Sequence, residues 1–405
     1  MPYSLVLLKI GEVTKMKRFA VPALCVLFTL SLYFHSIADN PSVKLGALYN
    51  LTGGMAAIDA PSSRGSLLAA KLINKQGGVL NGSKLEVIVT DTKTDLKVVT
   101  QSAQKMISVP VVAGLGYGDS DMVLAAAPAF QQHGIPFLTT GATDPELPEK
   151  IGRFMFMTPF SDKDQAYAMA DFAYDDLKAR RVVLWTNEST VFTRTLAMYF
   201  KERCLARGGA IVDEQLFKTD RKDFSSFVQH IQKLSPQPEA IFVSGIPEDA
   251  VPTVEQLRNA GLTIPVLSGD GFDADLLSLL PDLKDAEGVY FASHAYFGSK
   301  RPEVIAFVEA YKKEYGKLPE NSYAALGFDA VNLLADAIQR AGSPDSKAVA
   351  KALSKTNHFK GVTGDISFTR PGRVPVVPVA VMGIKEQSYQ LMTSWTPETS
   401  DASNE

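Results

Sequence analysis

Cysteine is almost missing from this chain: among 405 residues there are two, Cys25 and Cys204. Thiolates therefore cannot assemble a metal site. Histidine is nearly as scarce. His35, His133, His230, His294 and His358 are scattered without ligand spacing, so no metal and no cofactor is expected. No histidine is expected to close a strand-end loop, and no G-x-S-x-G elbow is present, so no nucleophile has a base and an enzyme is not expected. An excess of positive charge is lacking too. Lys plus Arg number 41 against 44 Asp plus Glu, a formal net charge of -3, which gives no reason to expect nucleic acid or an anionic membrane as partner. What remains is ordinary globular composition, 46% hydrophobic and 21% charged, at a length that suits two or three domains.

The N-terminus is the exception to that composition. From Met16 it runs through two cations, an apolar stretch from Phe19 to Phe34, and then Ser36-Ile37-Ala38, the small residues that signal peptidase reads. A signal peptide over residues 1–38, cleaved after Ala38, is expected, and with it a periplasmic location. The apolar core is shorter than the ~20 residues of a spanning helix, and Leu24 before Cys25 argues against a lipid anchor. Cleavage takes away Lys9, Lys15, Lys17, Arg18 and Glu12, moving the net charge from -3 to -6. It also takes Cys25, so Cys204 has no internal disulfide partner; its helical context, "MYFKERCLARGG", reads as ordinary packing.

Beyond that segment the pattern alternates. "VKLGALYNLTG", "KLEVIVTD", "VPVVAGLG" and "IPFLTTG" are strand-like, and the segments between them repeat apolar residues at helical spacing. Such a rhythm implies right-handed crossovers into a parallel sheet with helices on both faces. It restarts with "ARRVVLWTN" and runs to "IPVLSGDG", which predicts an α/β protein of two similar Rossmann-like lobes. Two further helices and a short β-rich tail, "GDISFTRPG" with "VPVVPVAVMGI", follow. Residues 398–405 carry no large apolar side chain and are expected to be disordered.

In open parallel sheets ligands bind outside the carboxyl ends of the strands. The unusual residues cluster there: "LYNLTGGMAAI", "GLGYGDSD", "LTTGATDP", "WTNEST", "VSGIPED" and "LSGDGFD" all follow apolar runs. "GLGYGDS" misses the dinucleotide fingerprint because Gly118 comes one residue early, and reads either as a tight turn or as a place of close ligand approach. Ser120 opens the helix "SDMVLAAAPAF", as a plain N-cap or as part of an anion site built on the free amides and helix dipole. A cleft of hydroxyls, amides and a few carboxylates suits reversible binding of a small polar molecule.

"LTGGMAA", "RGSLLAAKLINKQGGVLNGSKLEVIVTDTKTD", "DSDMVLAAAPAFQQHGIPFLTTGATDPEL" and "LSGDG" together resemble the type I periplasmic binding proteins of the leucine/isoleucine/valine-binding family, receptors of amino-acid ABC importers. The resemblance implies two lobes closing around a three-stranded hinge, with lobe 1 at residues 41–158 plus 294–365 and lobe 2 at residues 159–293 plus 366–397. It implies that Ser120 and Thr143, with the backbone around Gly141 and Ala142, hold a ligand carboxylate, and that Asp270 on the second lobe pairs with the ammonium. It also implies a monomer that partners an inner-membrane ABC permease. Ile58, Val191 or its neighbour Phe192, and Ile246 stand where family members often carry aromatic or polar residues, and the first-lobe disulfide of some members is absent. The pocket is thus more apolar than usual. It suits a hydrophobic amino acid such as a branched-chain one, or equally a non-amino organic or aromatic carboxylate, or these residues are simple packing. A sensory ligand-binding module is the alternative to transport.

Overall fold

A computed structural model describes residues 41–368 and 373–397. The expected signal peptide at residues 1–38 and the expected disordered tail at residues 398–405 lie outside the described residues. The first half alternates β1 (Val43–Tyr49), α1 (Ala56–Lys75), β2 (Leu85–Asp91), α2 (Leu96–Met106), β3 (Val111–Gly116), α3 (Ser120–Gln132), β4 (Phe137–Thr139), α4 (Leu147–Ile151) and β5 (Met155–Met157). The second half continues with α5 (Asp162–Asp175), β6 (Arg181–Asn187), α6 (Val191–Ala206), β7 (Ala210–Phe217), α7 (Ser225–Lys233), β8 (Ala240–Ser244), α8 (Pro247–Asn259), β9 (Val266–Ser268), α9 (Leu276–Leu279) and β10 (Val289–Ser293). Then come α10 (Pro302–Tyr315), α11 (Tyr323–Ala341), α12 (Ser346–Leu353), the short pair β11 (Phe359–Lys360) and β12 (Asp365–Ile366), and the hairpin β13 (Val379–Lys385) and β14 (Ser388–Trp395).

Two sheets result. The first has the order β2-β1-β3-β4-β5, all parallel. The second, β14-β13-β10-β9-β8-β6-β7, repeats that order in its parallel part, β7-β6-β8-β9-β10. The two-lobed α/β fold is therefore present, with one difference from the all-parallel expectation: β13 and β14 add an antiparallel edge. Pro375 and Pro378 explain why "VPVVPVAVMGI" is a strand only from Val379, since proline cannot donate to a ladder.

Side chains alternate between two environments along each strand, as the pleat dictates. Leu45, Ala47 and Tyr49 of β1 and Val182 and Leu184 of β6 join one continuous apolar core. Their neighbours Leu48 and Val183 with Trp185 point into separate outer cores. Both sheets are thus covered on both faces, which accounts for their nearly unbroken apolar runs. α11 returns to pack along α1, backbone against backbone. A Cβ on Gly65 would fall 1.9 Å from the Ala324 carbonyl oxygen, and one on Gly327 1.9 Å from that of Ser62.

Candidate functional site

The first-lobe side of the site is made by the loops after β3 and β4. Gly116 takes φ +141 with the Leu48 carbonyl oxygen 1.8 Å from where a Cβ would stand, a position only glycine fills. Two residues on, the Gly118 amide donates to Asp59 Oδ1 at 2.7 Å, and the Asn50 amide donates to Oδ2 at 2.8 Å. Asp119, not Ser120, caps α3, accepting from the Met122 amide at 3.1 Å. Ser120 is the first helical residue, fully buried, and its hydroxyl accepts from the Asp144 amide at 3.4 Å. Across from it the Thr139 hydroxyl donates to the Tyr117 carbonyl and accepts from the Ala142 amide at 2.9 Å each. Gly141 packs so tightly on this turn that an added Cβ would fall 2.9 Å from the Gly118 Cα. Ser120, Gly141, Ala142 and Thr143 therefore converge, all buried.

Burial raises Asp59 to about 7 against the pull of its two amides. It raises Asp119 to about 7 as well, with the Asp121 charge adding to the effect.

The second-lobe side is Asp270, the first residue of a 3-10 turn after β9 and 1% exposed. Its amide donates to Gln165 Oε1 at 2.8 Å. The flanking glycines do not open the backbone to a ligand. A Cβ on Gly271 would sit 2.2 Å from the Gly245 carbonyl oxygen, and one on Gly269 2.6 Å from Gln165 Oε1, so the close approach is the protein's own.

His294, the residue after β10, lies with Nε2 2.9 Å from Asp270 Oδ2. The expectation that no histidine closes a strand-end loop is thereby corrected; "VYFAS" is an apolar strand like the others, and the residue that follows it is this one. Its ring stacks on Phe160 at 3.9 Å and meets the edge of Tyr323 at 5.5 Å. Its Nδ1 is buried without a partner.

Between the two sides stands Asp162, which the sequence reading did not single out. It opens α5 behind the Ser161–Asp164 capping box, and its amide donates to the Thr143 carbonyl at 2.7 Å. Burial pushes its carboxyl well above the usual carboxylate range, while the Thr143 hydroxyl opposes this and the charges of Asp270 and Asp144 add to it. Oδ2 is buried with no partner. Thr143, Asp162 and Asp270 thus form one buried polar cluster, with the Asp270 carboxylate held by His294 and Asp162 Oδ2 left without a hydrogen bond.

The sequence profile of the periplasmic binding proteins matches residues 42–389. The chain belongs to the type I periplasmic binding proteins of the leucine/isoleucine/valine-binding family. A Leu/Ile/Val-binding protein homolog of Brucella abortus is 27% identical over 343 residues, spanning 84% of this chain and 89% of the relative. The crystal structure of a leucine-binding protein from Thermotoga maritima superposes with a TM-score of 0.81 at 30% identity, over 88% of this chain and 99% of that one. A solute-binding protein from Rhodopseudomonas palustris, crystallised with 3,4-dihydroxybenzoic acid, superposes at 0.78 with 25% identity, over 88% and 97% of the two chains. This chain is accordingly a substrate-binding protein of the ABC-transporter class, and not an enzyme.

In this periplasmic binding protein the strand-end loops and helix starts of the two sheets touch directly. The Val191 amide, at the start of α6, donates to Asp121 Oδ2 on α3 at 3.0 Å. A Cβ on Gly54 would fall 2.3 Å from Glu248 Oε1, so the turn before α1 also touches α8. Phe192 and Ile246 are buried at 8% and 4% exposure, Val191 is half-buried, and Ile58 packs on Gly118. Ile58, Phe192 and Ile246 join the same continuous apolar core, whereas Val191 contributes its amide to the rim. Among the described residues no group of three or more His, Cys, Asp or Glu side chains is placed to hold a metal ion. Cys204 is a free buried thiol that burial pushes up, in keeping with a packing role.

Proposed function

We propose that this protein is the periplasmic receptor of an ABC importer for a hydrophobic L-amino acid, which it holds between lobes formed by residues 41–158 with 294–365 and 159–293 with 366–397. The observation that supports this reading is the pair of buried acids, Asp162 and Asp270, beside the Thr143 hydroxyl, with Asp162 Oδ2 unpartnered. Two neighbouring carboxyls in a dry site repel each other. An ammonium between them relieves that repulsion, and the ligand's carboxylate then falls to Ser120, Thr143 and the amides at the start of α3. Ile58, Phe192 and Ile246 supply the apolar wall for the side chain. The receptor acts as a monomer and hands its ligand to an inner-membrane permease. Export with cleavage after Ala38 gives a mature protein beginning at Asp39, which N-terminal sequencing of the periplasmic fraction checks.

One observation favours an aromatic carboxylate instead: His294 already occupies Asp270 Oδ2, and the Rhodopseudomonas palustris neighbour carries 3,4-dihydroxybenzoic acid. Mass spectrometry of ligand released from the purified protein, followed by calorimetry with leucine, phenylalanine and benzoate, separates the two. Recovery or tight binding of benzoate with no amino acid bound overturns the amino-acid reading.

A further inference from the structure

A cavity of about 670 Å³ opens where the loops after β9 and β10 meet the segment before α11. Ser120, Thr143, Asp162 and Asp270 do not line it. Its apolar walls are Phe291, Met382 and Tyr389 from the second sheet, Val308 from α10, Leu318 from the loop before α11, and Phe297. That volume lies within the ~300–1,000 Å³ of small-molecule sites.

The polar lining of this cavity combines carboxylates and the Asn321 amide with the hydroxyls of Tyr296, Tyr389, Ser293 and Ser322. Lys317 is its one cation, and it is paired with Glu320 at 2.6 Å, which also binds Arg64 at 2.6 Å. Asp273 accepts from the Ser293 hydroxyl at 2.9 Å and the Ser322 amide at 3.3 Å. Asp275 faces the Tyr389 hydroxyl at 3.5 Å. Neither aspartate has an ion-pair partner among the described residues. Asn321, 4% exposed, donates through Nδ2 to the Ala57 carbonyl at 2.8 Å and keeps a buried Oδ1 with no partner. Asp273, Asp275 and the Tyr389 ring line the cavity together, with the Tyr389 hydroxyl on Asp275. Carboxylates beside an aromatic ring suit a cation that also donates hydrogen bonds.

We propose that this cavity is a ligand site separate from the cleft, selective for a primary ammonium group carried on an aromatic body: the ammonium lies at Asp273, Asp275 and Asn321, and the body lies among Phe291, Phe297, Val308 and Leu318. The site differs from the cleft in its residues and needs no ligand there.

Calorimetric titration with phenethylamine tests it, with 3-phenylpropanoate as the charge-reversed control. Wild type and Asp270→Ala bind the amine equally, and the acid does not bind. Asp275→Asn weakens the amine by about tenfold or more. Leu318→Arg, at a position 60% exposed, brings a cation to the mouth without disturbing the core and abolishes binding. Absence of amine binding to wild type overturns the proposal, as does equal binding of the acid. So does binding that Asp270→Ala removes while Asp275→Asn and Leu318→Arg retain it, because that places the amine in the cleft.

Discussion

The loops after β4 and β9 hold equivalent places in two sheets of the same strand order, yet they present opposite chemistry. After β4 comes Thr140-Gly141-Ala142-Thr143, hydroxyls and amides locked by Thr139. After β9 comes Gly269-Asp270-Gly271, whose backbone is wedged against Gln165 and Gly245 and whose carboxylate meets His294. Repeating the topology therefore repeats the position of a loop and leaves its charge free to differ. Under the proposed function the hydroxyls and amides after β4 take the carboxylate of the amino acid and the carboxyl after β9 takes its ammonium.

The contrast is tested most severely at Asp270. Removing one member of a buried charged pair costs about 2 to 5 kcal/mol, roughly thirtyfold to several thousandfold in affinity. Calorimetry on Asp270→Ala should show loss of amino-acid binding, while the deaminated analogue binds wild type poorly and loses little more in the variant. Equal binding of both ligands to wild type removes the ammonium role. On the other lobe, Thr143→Ala deletes one hydrogen bond to a charged group, ~1.5 to 3 kcal/mol, so the dissociation constant should rise about tenfold to a hundredfold. An unchanged constant would make Thr143 a turn residue only.

A stability effect separates the loops by pH. Asp59 and Asp119 under the first-lobe loop stand at about 7 in the folded chain, against about 4 when unfolded. Between these values the native state holds protons that the unfolded chain has released, so their contribution is full below about pH 4 and is lost as pH rises through about 7. The unfolding free energy should fall from pH 5 to pH 8 by roughly 3 to 5 kcal/mol, and Tm with it. Asp59→Asn should flatten the curve, and a Tm that climbs over that range contradicts the assignment. Smallest is the latch at the rim. Asp121→Ala removes the bond to the Val191 amide, worth ~0.5 to 1.5 kcal/mol, and stopped-flow release should quicken by a few-fold to about tenfold with little change in association rate.

Much of the architecture was legible because strands covered on both faces read as apolar runs and each ends in a burst of small and polar residues. Several elements escaped, α4, α9 and α12 among them, and three others show the physical reasons. α5 buries Asp162, Asp164, Gln165 and Asp171 along with its alanines and Phe172, so no polar stripe marks it as a helix. β5 is three residues long, and β14 is an edge strand with only partial burial. At the site, Asp270 stood out between two glycines, but its neighbours did not. His294 is 24 residues away and Asp162 lies on a different lobe segment from Thr143, so their convergence depends on crossovers that no local spacing records.

The backbone contact between Gly65 and Ala324 governs how the chain can be made. The apolar face of α1 is covered by a helix that leaves the ribosome more than 240 residues later, so the first lobe cannot complete itself in order of synthesis. Contacts of such long sequence separation form slowly. A nascent chain halted before Tyr323 already holds all ten parallel strands but leaves α1 uncovered, which makes it a client for a chaperone.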